Sequence, residues 1–208
     1  MFKINPNRMK WQLVSKFAIL LCVLVSSCKK GEPIINLPLS GPNQEFYVLA
    51  DNRLLKFNSN NIKSSINQVT ITGLTATTEK LLSIDFRPAT GELYAVSSAS
   101  KIYVVDVAGK ARVISPASFT PALDGDVVSL DFNPVADRIR IVTNKGQNLR
   151  LNPETGLVEA TDAALNNSAI NGIAYTNSVA GAESTILYDI DFDAKVSKNS
   201  TNKGKARL

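Results

Sequence analysis

From Phe46 onward the chain is written in short apolar runs separated by turn residues, and no long stretch repeats with helical spacing. The runs are rich in β-branched and aromatic residues: "EFYVLA", "RLLKFN", "QVTITG", "LLSIDF", "ELYAVS", "KIYVVD", "ARVIS", "VVSLDF", "RIRIVT", "QNLRLN", "GLVEA", "INGIAY" and "STILYDID". Gly, Pro, Asn and Asp cluster between them, as strand-to-strand turns require. The pattern predicts an all-β protein.

Two of these segments are written twice. Ser83, Asp85, Phe86 and Pro88 recur at an offset of 46 residues as Ser129, Asp131, Phe132 and Pro134. The strand order recurs with them: 81–86, 92–97, 101–106 and 111–115, then 127–132, 138–143, 147–152 and 157–160. Four antiparallel strands in a period of this length predict a blade of a β-propeller-like fold. Upstream, "EFYVLADNRLLKFN" with "QVTITG" reads as the second to fourth strands of an earlier blade. Downstream, "NGIAYTN" and "STILYDID" read as the first two strands of a later one. Thirteen strands result, and the propeller is expected to be incomplete or open. After Asp193 the text turns polar and basic, so residues 194–208 are expected to form a disordered tail, with a truncated or frame-shifted reading frame as the implied cause and a short open stack as the alternative. The strand at Ile186–Ile190 is then expected to lie beside an unpaired edge.

The N-terminus belongs to a different grammar. Residues 1–16 carry four basic side chains and no acid, and Phe17–Val25 is an apolar run of nine residues, well short of the roughly 20 needed to span a bilayer. This is the layout of a secretory signal over residues 1–27. Val25-Ser26-Ser27-Cys28 resembles a lipobox, in which a thiol takes the lipid and small neighbours admit the peptidase. Cys28 is therefore the expected lipidation site, and residues 28–43, "CKKGEPIINLPLSGPN", the expected tether. Ile34, Ile35 and Leu37 could alternatively lie along the domain edge. The other cysteine, Cys22, falls in the discarded signal, so no disulfide is expected.

Charge changes the picture once it is partitioned. The whole chain is +5, but residues 43–193 hold 12 basic against 17 acidic side chains, a net −5. The positive charge lies at the two ends, and nucleic acid is not an expected partner.

The candidate chemistry is sparse. The chain has no histidine, which removes Ser-His-Asp and Cys-His sites and imidazole-bound zinc. No Gly-rich phosphate loop is present, no cofactor is implied, and no catalytic residue is assigned. Asp85 and Asp131 hold matching places on the first strands of two blades. They could share a cation or act as acid and base; the alternative is a structural role in holding blade to blade. Asp189–Asp193, "DIDFD", imitates the start of a calcium loop but lacks the Gly and acid such a loop needs. "LDGD" at 123–126, "RPATG" at 87–91 and "NPETG" at 152–156 read as turns. Tyr94, Tyr103 and Arg140 could line a polar face and contact a glycan, or else pack and be solvated on outer strands.

"LLSIDFRPATGELYAV", "SLDFNPVADRIRIVTNKGQNLRLNPETG", "GIAYTN" and "TILYDID" together resemble the bacterial domain of unknown function 4394 over about Phe46–Asp191, with departure from its pattern after Asp191. The resemblance implies a secreted or cell-surface protein and supplies no catalytic residues. The domain is thus expected over 44–193. The expected function is a lipid-anchored cell-envelope protein, held to the membrane through Cys28. It is expected to be a non-catalytic binding module for a protein, peptide or glycan. The alternatives are a propeller-type metal-dependent hydrolase or a fragment without function.

Overall fold

The structure, a computed structural model, describes residues 42–165, 170–191 and 196–200. The signal, Cys28 and nearly all of the tether lie outside the described residues, as does the end of the chain from residue 201. The described residues form 14 strands and no helix. Four antiparallel sheets follow one another along the chain. The first is Glu45–Ala50 (β1), Arg53–Asn58 (β2) and Asn67–Thr70 (β3); the second is Leu81–Phe86 (β4), Leu93–Ser97 (β5), Ile102–Val105 (β6) and Ala111–Val113 (β7). The third is Val128–Asn133 (β8), Arg138–Thr143 (β9), Asn148–Leu151 (β10) and Val158–Thr161 (β11); the fourth is Ile170–Tyr175 (β12), Leu187–Asp191 (β13) and Val196–Ser200 (β14). Each is a meander whose strands pair in chain order, so the fold is all-β with open, propeller-like blades.

The first strand of each complete blade is its inner strand. β4 lies beside β8, and β8 beside β12, so the inner strands form a row from which the blades fan out. Register fixes the equivalences between blades. Tyr94 of β5 faces Asp85, Arg140 of β9 faces Asp131, and Tyr188 of β13 faces Ala174. By the same repeat β1 is a second strand, with Tyr47 in the place of Tyr94, and the first sheet has no inner strand among the described residues.

Burial follows from this stacking. β5 and β9 are buried along almost their whole length, because each sits between two blades and both faces are covered. The outer strands β7 and β11 alternate toward solvent. The core is accordingly a series of interblade layers. Leu54, Ile71, Leu93, Tyr103 and Val105 fill the first, Val96, Ile102, Phe132, Ile141 and Leu149 the second, and Val142, Ile170, Tyr175 and Leu187 the third.

The link from outer strand to next blade is itself paired. The Thr72 amide donates to the Gly109 carbonyl and the Ala111 amide to the Thr72 carbonyl, both at 2.8 Å, in a parallel bridge. Gly73 makes this possible: its φ is +86°, and a Cβ there would stand 2.4 Å from the Ala111 carbonyl oxygen.

Two expectations are corrected at the C-terminal end. Val196–Ser200 lies inside the segment read as a disordered tail, yet it pairs along the whole of β13. Consequently β13, between β12 and β14, is not an edge strand. Ladder pairing uses backbone groups that every residue carries, so a polar strand on the outside of a sheet leaves little trace in hydrophobic patterning.

Candidate functional site

The repeated Ser-x-Asp lies on consecutive inner strands, β4 and β8. The free edge of β8 faces the side chains of β4. The Leu130 amide donates to Ser83 Oγ at 3.0 Å, and the Phe132 amide donates to Asp85 Oδ2 at 2.9 Å. One blade later the arrangement repeats: the Ile173 amide donates to Ser129 Oγ at 3.0 Å, and the Tyr175 amide to Asp131 Oδ2. The second and third blades thus each lend two short polar side chains that accept outward amides of the next inner strand. Alternation makes this work: Ser and Asp two residues apart point the same way, as do the two amides they accept.

Asp85 and Asp131 also meet each other through a side-chain hydrogen bond. Burial, together with the hydrogen bond to Asp85 and its charge, pushes the Asp131 carboxyl up to about 9. Burial raises Asp85 as well, against the hydrogen bonds it accepts from Asp131 and from backbone amides. Both carboxyls are thus raised, and the pair shares a proton at neutral pH. Such a pair could exchange a proton with a substrate, but each carboxyl also holds the amide of a neighbouring strand. Among the described residues no group of three or more acids and cysteines converges in a way that could hold a metal ion.

The other sequence candidates separate. Tyr94, Tyr103 and Arg140 are all buried, so they form neither a solvated outer surface nor a glycan platform. Tyr94 packs edge-on against Phe132, with ring centroids 5.1 Å apart. The Tyr103 hydroxyl donates to the buried Glu79 carboxylate at 2.9 Å. Glu79 is held below its usual range: burial opposes its ionisation, but hydrogen bonds from Ser97, Thr75 and Tyr103 and the charge of Lys101 outweigh it. Arg140 bridges Asn148, Asp162 and the Tyr175 hydroxyl. Asp189–Asp191 stand on β13 rather than in a loop, and residues 192–195 lie outside the described residues. The turns are as the sequence implies: the Gly91 and Gly156 amides close onto the Arg87 and Asn152 carbonyls, both at 2.8 Å. Leu123–Asp126 leads into β8, with the Asn144 side chain donating to Asp126 at 2.7 Å.

One buried constellation was not legible in the sequence. Arg87, at the first turn of the second blade, donates to both Asp137 oxygens, at 2.9 and 2.5 Å, and to Glu154 at 2.6 Å. Asp137 stands where Gly91 stands one blade earlier, and it keeps that position's left-handed backbone, with φ +50°. A carboxylate at a turn position that favours glycine was the available signal, and its partner 50 residues away was not.

One cleft opens at the first blade. It encloses about 370 Å³ between β1 and β4, lined by Gln44–Tyr47, Ile84–Phe86 and Leu93. It lies at the place where an inner strand of the first blade would run. Asp85 borders it, so the cleft and the carboxyl pair adjoin.

No curated protein matches the chain. Residues 53–207 match the family described as Domain of unknown function (DUF4394), which covers three of the four blades in full and most of the first, and extends beyond Asp191. The chain belongs to that family.

Proposed function

We propose that this chain is a lipid-anchored cell-envelope protein that serves as a non-catalytic binding module for a protein, peptide or glycan. The observation that carries the binding role is the cleft between β1 and β4, lined by Phe46, Tyr47 and Phe86 beside polar side chains. The carboxyl pair supports the same reading, because Asp85 and Asp131 are engaged in joining strands. The membrane anchor rests on the signal-like N-terminus and on Cys28 at its end.

Screening the full chain against immobilised peptide and glycan libraries tests the binding role. A saturable ligand whose binding is lost in Phe46→Asp, at the cleft, is the predicted result. No ligand, or a ligand indifferent to that substitution, would overturn it. The second reading is hydrolysis assisted by the carboxyl pair, and the proton they share favours it. It requires a hydrolytic turnover and a several-degree rise in melting temperature with calcium, both abolished by Asp85→Asn or Asp131→Asn.

A further inference from the structure

Among the described residues, the first interblade contact has the side chains of the others without their inner strand. Tyr47 packs edge-on against Phe86 at 5.5 Å between centroids, just as Tyr94 packs against Phe132 at 5.1 Å. The two pairs occupy equivalent places in successive blades. Phe132 is 0% exposed because β4 runs past it, whereas Phe86 is 37% exposed. No inner strand of the first blade covers Phe86 among the described residues.

Hydrogen-bond parity shows what this place offers. The Ser59 amide donates to the Gln44 carbonyl, so alternate residues of β1 face β2, and the peptide groups of Glu45, Tyr47 and Leu49 lie on the open edge. The Arg87 amide donates to the Glu92 carbonyl, which likewise turns the Ile84 and Phe86 amides away from β5. Ile84 and Phe86 are the counterparts of Leu130 and Phe132, whose amides are accepted by Ser83 and Asp85. The Phe86 amide draws on Asp85 of its own strand, as the Phe132 amide does on Asp131. Among the described residues, Phe86 lacks the cross-strand carboxylate that Phe132 has.

We infer that the cleft between β1 and β4 binds an extended polypeptide segment of the form Ser-apolar-Asp, which pairs with β1 and accepts the Ile84 and Phe86 amides. This rests on the binding role proposed above and names its ligand class. The repeat fixes the register. The Asp of the incoming segment lies opposite Tyr47, as Asp85 lies opposite Tyr94, and its Ser lies opposite Leu49, as Ser83 lies opposite Val96. Strand addition to the open edge supplies the main-chain bonds, and the two side chains supply selectivity.

The fold argues for an unpaired segment as the occupant. The Ser-x-Asp strands of a second folded copy, β4 and β8, are already paired with β5 and β9. The last inner strand of the row among the described residues of a second copy is β12, where Gly172 and Ala174 take the places of Ser and Asp and offer no side-chain acceptor.

The probe is a labelled peptide of residues 127–134, VVSLDFNP, titrated into the full chain and followed by fluorescence anisotropy and amide hydrogen exchange. Saturable binding is predicted, with slowed exchange at Tyr47, Leu49, Ile84 and Phe86. Two control peptides should bind at least tenfold more weakly: one with Ala for both Ser and Asp, and one N-methylated at the Asp amide, which faces β1. Equal affinity for the doubly substituted peptide would overturn the ligand class while leaving the cleft a binding site. No binding of the peptide, alongside a library ligand still lost in Phe46→Asp, would do the same. Protection of those four amides before peptide is added would show the place already filled and would also overturn it.

Discussion

At the scale of residues, the repeated Ser and Asp act as fasteners between inner strands. Removing a buried acceptor leaves its donor without a partner, which costs about 1–3 kcal/mol. Ser129→Ala should therefore destabilise the domain by about 1 kcal/mol in urea unfolding, and Asp131→Ala by about 3 kcal/mol, with its larger loss of packing and of a second hydrogen bond. Asp131→Asn should cost much less at neutral pH, since its amide stands in for the protonated carboxyl of a pair that shares one proton. The pH dependence follows from the same proton. A carboxyl raised in the folded state favours folding most below its unfolded value near 4, and that contribution declines as pH rises toward about 9. Asp137, Asp162 and Glu79 are shifted downward, so their contribution is lost as pH falls through the acid range. Stability should thus peak in mildly acidic solution, and the decline above that peak should be shallower in Asp131→Asn. A wild-type profile flat from pH 5 to 9 would refute the shared proton. The doubling of Ser-x-Asp was visible in the sequence; which amides it accepts was not, because those belong to strands more than 40 residues away. Arg87 was invisible as an anchor for the same reason. Arg87→Met, which strands Asp137 and Glu154, should cost roughly 3 kcal/mol, a value at the lower end for a broken buried pair because both acids reach solvent.

At the scale of elements, strands were the most readable feature. Alternation and turn residues placed the second and third blades almost to the residue, and identified β1 as a second strand rather than a first. The fourth blade was read only in part. β14 carries "VSKNS", where one apolar residue gives no alternation to detect, and its place comes from backbone pairing with β13. The links between blades were equally silent. Nothing in "TITGL" marks Gly73 as the point where one blade's chain brushes the next. Gly73→Ala combines left-handed backbone strain with a contact of 2.4 Å to a carbonyl oxygen. It should destabilise by about 2 kcal/mol or more, whereas Gly91→Ala, which meets nothing within 4 Å, should cost only the backbone term of about 1 kcal/mol. Equal losses at the two sites would remove the close-approach argument.

At the scale of the molecule, the described strands form a row of blades, and among the described residues the first blade has no inner strand, the place proposed above as the binding site. Asp85 and Asp131 join neighbouring inner strands, and the proposed binding site is the adjoining cleft. The proposed anchor is separable from it: Cys28→Ser should shift the protein from membrane to soluble fractions without changing its unfolding midpoint, and unchanged membrane association would refute the lipid. Residue-resolved amide hydrogen exchange on the unliganded full chain tests whether the inner place of the first blade is open. Phe132 and Tyr175, each held by an Asp from the preceding inner strand, should exchange slowly, and Phe86 should exchange at least tenfold faster. A Phe86 amide as slow as that of Phe132 would contradict the open inner place of the first blade.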